Sequence, residues 1–339
     1  MSRLKKHLGT CVRLIVSVGI LFLIIKNIDL VGFSGIVKNA KLSWILGTWA
    51  LLGLFMIPLS VARLQLFLVS HNIRLPFSRV LVYQMVGYFY NTFLPGGVGG
   101  DIIKAYYIAQ ETDKKHETVA AVIADRIVGL ISLFSLAVIA LFLKWNEPAF
   151  HIPRVIIACA CILAGICLAI FFNKKLMRRI PFGKTLFEKI PFHSAISRAY
   201  DALHYYKNQK TFLVKAFAYS LVMQLIFILG HIPIAFALGI DVLNPLVYIT
   251  LVPIAITIAA IPISIQGWGI GEAVYIKLFG LVGIASAHSL ALSVIMRFAM
   301  MLIGMVGAGF YMCLGLIRKD FTPVKGMGSD WINKKEPVK

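Results

Sequence analysis

Acidic residues are scarce in this chain: Asp and Glu number 14 against 34 Lys and Arg, and all charged types make up only 14% of its 339 residues. A soluble domain carries about 25% charged residues, so a core wrapped in a solvated charged surface is excluded. Cysteine is also sparse. Cys11, Cys159, Cys161, Cys167 and Cys313 all lie in apolar stretches, and none has a partner at metal-ligand spacing. The pair Cys159 and Cys161, inside a run of Ile, Leu and Ala, reads as helix packing. No Ser/His/Asp order, metal cluster or G-x-S-x-G elbow occurs, and the carboxylates are too few and scattered for an acid/base pair. Gly267-x-Gly269-x-Gly271 has the look of a nucleotide loop but lacks a strand before it and a P-loop Lys-Ser/Thr after it. No cofactor is expected.

What the chain has in quantity is apolar sequence: 59% of its residues are hydrophobic and the mean hydropathy is +0.85. A bilayer crossing takes about 20 apolar residues. Full spans fit at 8–25, 42–62, 118–143, 152–172, 211–239 and 286–317, and two further apolar segments, 77–112 and 245–284, are interrupted at their centres. The expected fold is an all-α integral membrane protein, with about six full transmembrane helices and two re-entrant or broken helical hairpins, forming one polytopic domain over 1–317. The basic start (Arg3, Lys5, Lys6, Arg13) followed by an apolar run reads as an uncleaved signal-anchor. The net charge of +20 lies between apolar runs, where it sets orientation and meets anionic headgroups. No basic patch with interleaved aromatics marks a soluble segment, so nucleic-acid binding is set aside.

Charge also orients the chain. With cytoplasmic termini and both interrupted segments turning back, the inner stretches hold 25 Lys and Arg and the outer ones 5. That asymmetry fits the positive-inside rule. The first hairpin then enters from the cytoplasm and the second from the outer side, an inverted arrangement that many transporters use. No residue-level repeat stands out, so the inversion is read from topology alone. The location implied is the cell inner membrane. The stretch 173–210, with Lys174, Lys175, Arg178 and Arg179 among Leu, Ile and Phe, reads as a cytoplasmic amphipathic element on an anionic leaflet. The tail 318–339 reads as disordered.

The two interruptions carry the chemistry. The first, Asn91-Thr-Phe-Leu-Pro95-Gly96-Gly97-Val-Gly99-Gly100-Asp101, is followed by Lys104; the second runs from Pro262 through Gly267 and Gly269 to Glu272. Exposed backbone costs several kcal/mol per group in lipid, so such breaks survive only where protein or a polar cavity satisfies them. Paired breaks in corresponding halves point to a substrate site near the midplane. Ionisable residues inside the spans are expensive and so are functional candidates: Asp125 and Arg126 about two turns into their span, and Arg297 about 16 Å into its own. Arg63 reads as a residue that snorkels to the interface, and His231 as a hydrogen-bonded helix residue. Asp125–Arg126 and Glu272–Arg297 are open to two readings, internal ion pairs or ligand site. Asp101, Glu272 and Arg297 lean to the second, because free N–H groups at helix starts attract anions. Arg297 and Lys104 suit a phosphate; Asp101 and Glu272 suit balancing charges or an amine.

These residues carry a resemblance. Asn91, Leu94-Pro95-Gly96-Gly97-x-Gly99-Gly100-Asp101 with a basic residue three further on, Asp125-Arg126, and Pro262…Gly267-x-Gly269-x-x-Glu272 are similar to the lysylphosphatidylglycerol synthase transmembrane, flippase-like family, from about residue 60 to 315. Arg63 in Ala62-Arg-Leu-Gln-Leu resembles the family's early arginine. Two departures stand out: Lys104 replaces the usual Arg, losing a bidentate phosphate grip, and Asp125 replaces the common Glu. The resemblance implies a stand-alone lipid-handling half without the soluble synthase domain. It implies a lipid translocase or lipid-binding protein with membrane lipids as partners. The alternatives are a membrane-embedded enzyme on a lipid or lipid-linked sugar, or a partner of a glycosyltransferase or lipid synthase. Homo-oligomerisation through the small residues of the last span, such as Gly304 and Gly307, is open.

Overall fold

The computed structural model describes residues 18–26, 28–93, 99–172, 205–206, 209–241, 244–261 and 264–317. Among them every long element is helical: α1 (Val18–Lys26), α2 (Leu30–Asn39), α3 (Leu42–Ser70), α4 (Phe77–Phe93), α5 (Gly99–Ala109), α6 (Lys115–Leu143), α7 (His151–Phe172), α8 (Lys210–Leu229), α9 (His231–Ala237), α10 (Pro245–Ala259), α11 (Ile270–Gly280) and α12 (Ser286–Ile317). The protein is an all-α integral membrane protein. The amphipathic reading of 173–204, the tail 318–339 and the N-terminal residues to 17 lie outside the described residues.

Among the described residues four helices are long and apolar enough to cross a bilayer: Leu42–Ser70, Lys115–Leu143, Lys210–Ala237 and Ser286–Met312. Two further spans are read from the sequence. Of 8–25 only the residues from 18 on are described, in α1, which bends by 94° against α2, while 152–172 coincides with the 22-residue α7. Local signals set several helix starts. Asp29 accepts the Val31 N–H at 3.1 Å ahead of α2; Asn244 accepts that of Leu246 at 3.0 Å, with Pro245 in the first turn of α10. Both are side-chain caps of otherwise orphaned donors. The span expected to stop at 62 instead continues as α3 to Ser70, because Arg63 finds its counter-charge inside the protein and has no need to reach the interface.

The two interrupted segments are hairpins. In the first, α4 and α5 approach so closely that a Cβ on Gly100 would run into the Gly87 carbonyl, a contact only glycine permits. Arg79 and Tyr83 near the start of α4 both bond Glu111 just past α5. Lys114 Nζ donates to the His71 carbonyl at 2.9 Å, so the chain leaves α3 and enters α6 at the same end. The second hairpin, α10 and α11, opens at the other end. Its preceding helix stops where the Ala237 carbonyl accepts the Lys41 N–H at 3.0 Å, and Lys41 is the residue before α3. Tyr248 and Phe279, with ring centroids 5.7 Å apart, close its mouth.

The structure also reveals a repeat that the sequence hides. A constant separation of 171 positions relates Gly99 to Ile270 and Lys115 to Ser286, the starts of matching helices, and likewise Gly100 to Gly271, Asp101 to Glu272 and Arg126 to Arg297. Packing obeys the exchange: α4 lies on α12 as α10 lies on α6, and α5 lies on α6 as α11 lies on α12. One core gathers Leu64, Phe67, Val80 and Ile108 from the first half. The other gathers Leu251, Ile254, Phe279 and Leu292 from the second, joined by Ile45, Leu52 and Ala137 of the first. Side chains such as Leu54, Phe142, Leu163 and Val214 are left outward-facing, as a lipid-solvated surface requires.

Candidate functional site

The first group of charges is assembled from α3, α5 and α6, with polar partners on α4 and α8. Arg63 on α3 donates through Nε to Asp125 Oδ1 on α6 at 2.6 Å, and through Nη1 to Ser220 Oγ on α8 at 2.9 Å. Lys104 on α5 is 2% exposed. Its Nζ donates to Gln84 Oε1 at 3.1 Å, and stands 3.3 Å from Asp101 Oδ1 and 3.7 Å from Asp125 Oδ2. Arg126 Nη1 lies 3.8 Å from Asp101 Oδ2, an oxygen with no hydrogen bond. Asp125 and Arg126 are neighbours on one helix and face apart, so one joins Arg63 and the other Asp101. The group holds three cations and two carboxylates.

The second group holds the second break. Glu272 is fully buried; its Oε2 accepts the Gly269 N–H at 2.6 Å and its Oε1 accepts from Arg297 Nε at 2.8 Å. Arg297 also donates to the carbonyls of Gln266 and Gly267 at 2.9 and 3.3 Å, with its guanidinium 4.5 Å over the Trp268 ring. This one side chain satisfies carbonyls that the broken helix leaves orphaned. Gly267 and Gly269 sit at φ 75° and 84°, and so does a non-glycine nearby, Gln266 at 51°, a left-handed conformation costly for an L side chain.

Gln266 joins the groups. Its Nε2 donates to the carbonyls of Asn91 and Thr92 at 2.5 and 2.9 Å, at the end of α4. Asn91 Oδ1 in turn accepts the Gly100 N–H at 2.8 Å, one residue before Asp101. The two breaks therefore touch, and the bond between them runs from one half of the molecule to the other.

The structure thus gathers Asn91, Gly100, Asp101, Lys104, Asp125 and Arg126 in one place and Gly267, Gly269, Glu272 and Arg297 in the adjoining one. Gly99 starts α5, while Pro95, Gly96 and Gly97 lie outside the described residues. Sequence reasoning underrated Arg63 and missed Gln84, Ser220, Gln266 and Trp268. Gln84 had a visible signal, a lone amide among apolar residues of α4; Ser220 had none, since its partner is 157 positions away. His231 is a packing residue, as expected: its Nδ1 faces the Phe227 carbonyl at 3.0 Å and its Nε2 meets the Tyr275 hydroxyl at 2.8 Å. An apolar hollow of about 380 Å³ beside Trp44, Thr48, Leu51 and Pro233 contains none of these charges.

A family model described as the lysylphosphatidylglycerol synthase TM region matches residues 11–308, which include both breaks and every charged residue above. The chain belongs to that family. It is a multi-pass membrane protein of this kind, as the paired motifs implied. A relative described as a UPF0104 membrane protein, from Methanothermobacter thermautotrophicus, is 25% identical over 264 residues, covering 69% of this chain and 74% of the relative.

Proposed function

We propose that the protein binds a membrane lipid by its polar headgroup between the two hairpins and carries it from one leaflet to the other. The observation that supports this reading is the meeting of the breaks: hairpins opening at opposite ends join through Gln266 and the Asn91 and Thr92 carbonyls, beside Lys104, Asp101 and Arg126. On this reading both hairpins are re-entrant, the repeat is inverted in an inner membrane, and both termini are cytoplasmic. Hairpins entering from opposite faces give a midplane site two routes of access, as a transporter needs. Lys104 and Arg126 supply positive charge for a phosphate, Asp101 sets its position, and Glu272 with Arg297 holds the second break as the opposite wall.

Proteoliposomes containing phospholipid labelled in one leaflet test this directly. The protein should accelerate exchange between leaflets, and Asp101→Ala or Arg126→Ala should slow it at least ten-fold while the protein stays folded. Exchange no faster than in empty vesicles, or undiminished in both variants, would overturn the reading. Mass spectrometry of lipid before and after incubation reads the alternative, since an embedded enzyme leaves a covalently altered product.

A further inference from the structure

The two halves contain one device in two conformations. Asp101 precedes Arg126 by 25 positions, as Glu272 precedes Arg297, and each acid directly follows a glycine in the first turn of its helix. In the second half the pair is shut: Glu272 and Arg297 meet at 2.8 Å, with the other Glu272 oxygen occupied by the Gly269 N–H. In the first half it is ajar: the separation is 3.8 Å, Asp101 Oδ2 has no hydrogen bond, and the Arg126 side chain is 48% exposed.

Resting on the transport reading above, we infer that the protein has a second state in which the pairs trade conformations, Asp101–Arg126 shutting as Glu272–Arg297 opens. Gln266 is the connection. Its carbonyl is held by Arg297, and its amide holds the end of α4. When Arg297 withdraws, the left-handed Gln266 is released, and its amide leaves the carbonyls of Asn91 and Thr92. Asn91, freed to move, loosens its hold on the Gly100 N–H at the start of α5, where Asp101 stands. Opening one pair thus removes the restraint that keeps the other from closing, and the Gln266 bonds, while they last, disfavour a state with both shut. The matched geometry supplies the end point: the first half adopts what the second half now shows.

The rival explanation is that Asp101, one methylene shorter than Glu272, cannot reach. The experiment separates the two. In the full-length chain, with native cysteines replaced and the protein reconstituted in vesicles, Thr92→Cys and Ser264→Cys are labelled one at a time by a membrane-impermeant maleimide. Ser264 is buried beside the shut pair and should react slowly. Glu272→Gln breaks that pair without changing its shape. It should raise labelling at Ser264→Cys and lower it at Thr92→Cys, each by about three-fold or more, as a shift between two populated states requires. Asp101→Glu lengthens the acid of the ajar pair and should move both sites in the same directions, although it makes a pair where the other breaks one. Labelling that rises at both sites, or changes only beside the substitution, overturns the exchange. Lipid movement is measured in the same vesicles: movement without reciprocal labelling sinks the exchange alone, and reciprocal labelling without movement sinks the transport reading it rests on.

Discussion

Removing the carboxylate of Asp125 is the sharpest single perturbation of the first charge group. Asp125 is 4% exposed and is the near partner of Arg63, at 2.6 Å, and a further counter-charge of Lys104, at 3.7 Å. Asp125→Ala leaves Arg63 buried with only Ser220 to receive it. Breaking a buried pair by removing one partner destabilises by about 3–5 kcal/mol, because the remaining charge stays desolvated. For a large domain each kcal/mol corresponds to roughly 2–4 °C, so thermal unfolding in detergent, followed by near-ultraviolet circular dichroism, should move down by about 10 °C. The double variant Arg63→Leu with Asp125→Leu removes both charges and fills their space. Lys104 keeps Asp101 at 3.3 Å and Gln84 at 3.1 Å, so most of the loss should return. A shift below about 2 °C for Asp125→Ala, or a double variant no better than the single one, would refute the claim that burial of an unpaired cation sets the magnitude.

Tyr275→Phe strips His231 Nε2 of its partner at 2.8 Å. It should lower stability by about 1–3 kcal/mol in the same unfolding assay and leave lipid movement unchanged. Gly307→Leu drives a side chain into the Met85 carbonyl where α12 crosses α4; overpacking of this kind costs about 1–3 kcal/mol, and an unaltered unfolding temperature would deny that contact. Burial depresses the pKa of His71, beyond the span, below its ordinary 6.5; Glu117 opposes the shift and Lys114 adds to it, with Tyr205 and Tyr206 packed on the ring. The folded form favours neutral His71, so its contribution is whole above pH 6.5 and falls away as the pH drops and the unfolded chain takes up the proton first. Stability measured from pH 7.5 to 5.5 should decline, and His71→Phe should flatten that part of the slope.

Much of this was legible before any coordinates. Apolar length located the four long helices, and the glycine-proline breaks located both hairpins, because period and backbone breakers are local properties. Pairing was not. Arg63 and Asp125 are 62 positions apart, and nothing near either residue names the other, so Arg63 read as an interfacial cation. The repeat was hidden for a related reason. Only positions at the helix starts and the acid–arginine pairs carry the shared geometry. Elsewhere the halves differ, with Lys104 matched by Tyr275 and Arg63 by Ile234 at the same separation of 171. Identity at so few positions is invisible without the helix boundaries that align them.

A polar site inside a membrane must pair its charges within the protein, since an unpaired charge there is costly. The bonds present therefore rank the residues by how readily a ligand displaces their partners. Arg63 donates two bonds, at 2.6 and 2.9 Å, to groups on two other helices; separating it leaves Asp125 and Ser220 wanting. Arg297 makes three within its own break. Asp101 and Arg126 stand at 3.8 Å, the longest of the ion pairs described, and the arginine is about half exposed. An anionic headgroup that takes the place of Asp101 beside Arg126 exchanges one acid for another, and Asp101 keeps Lys104 at 3.3 Å. The exchange at Arg126 conserves charge pairing throughout, whereas entry at Arg63 or at Arg297 strands a buried group. On the proposed reading, binding begins at Arg126, and the tightly bonded pairs hold the frame against which it happens.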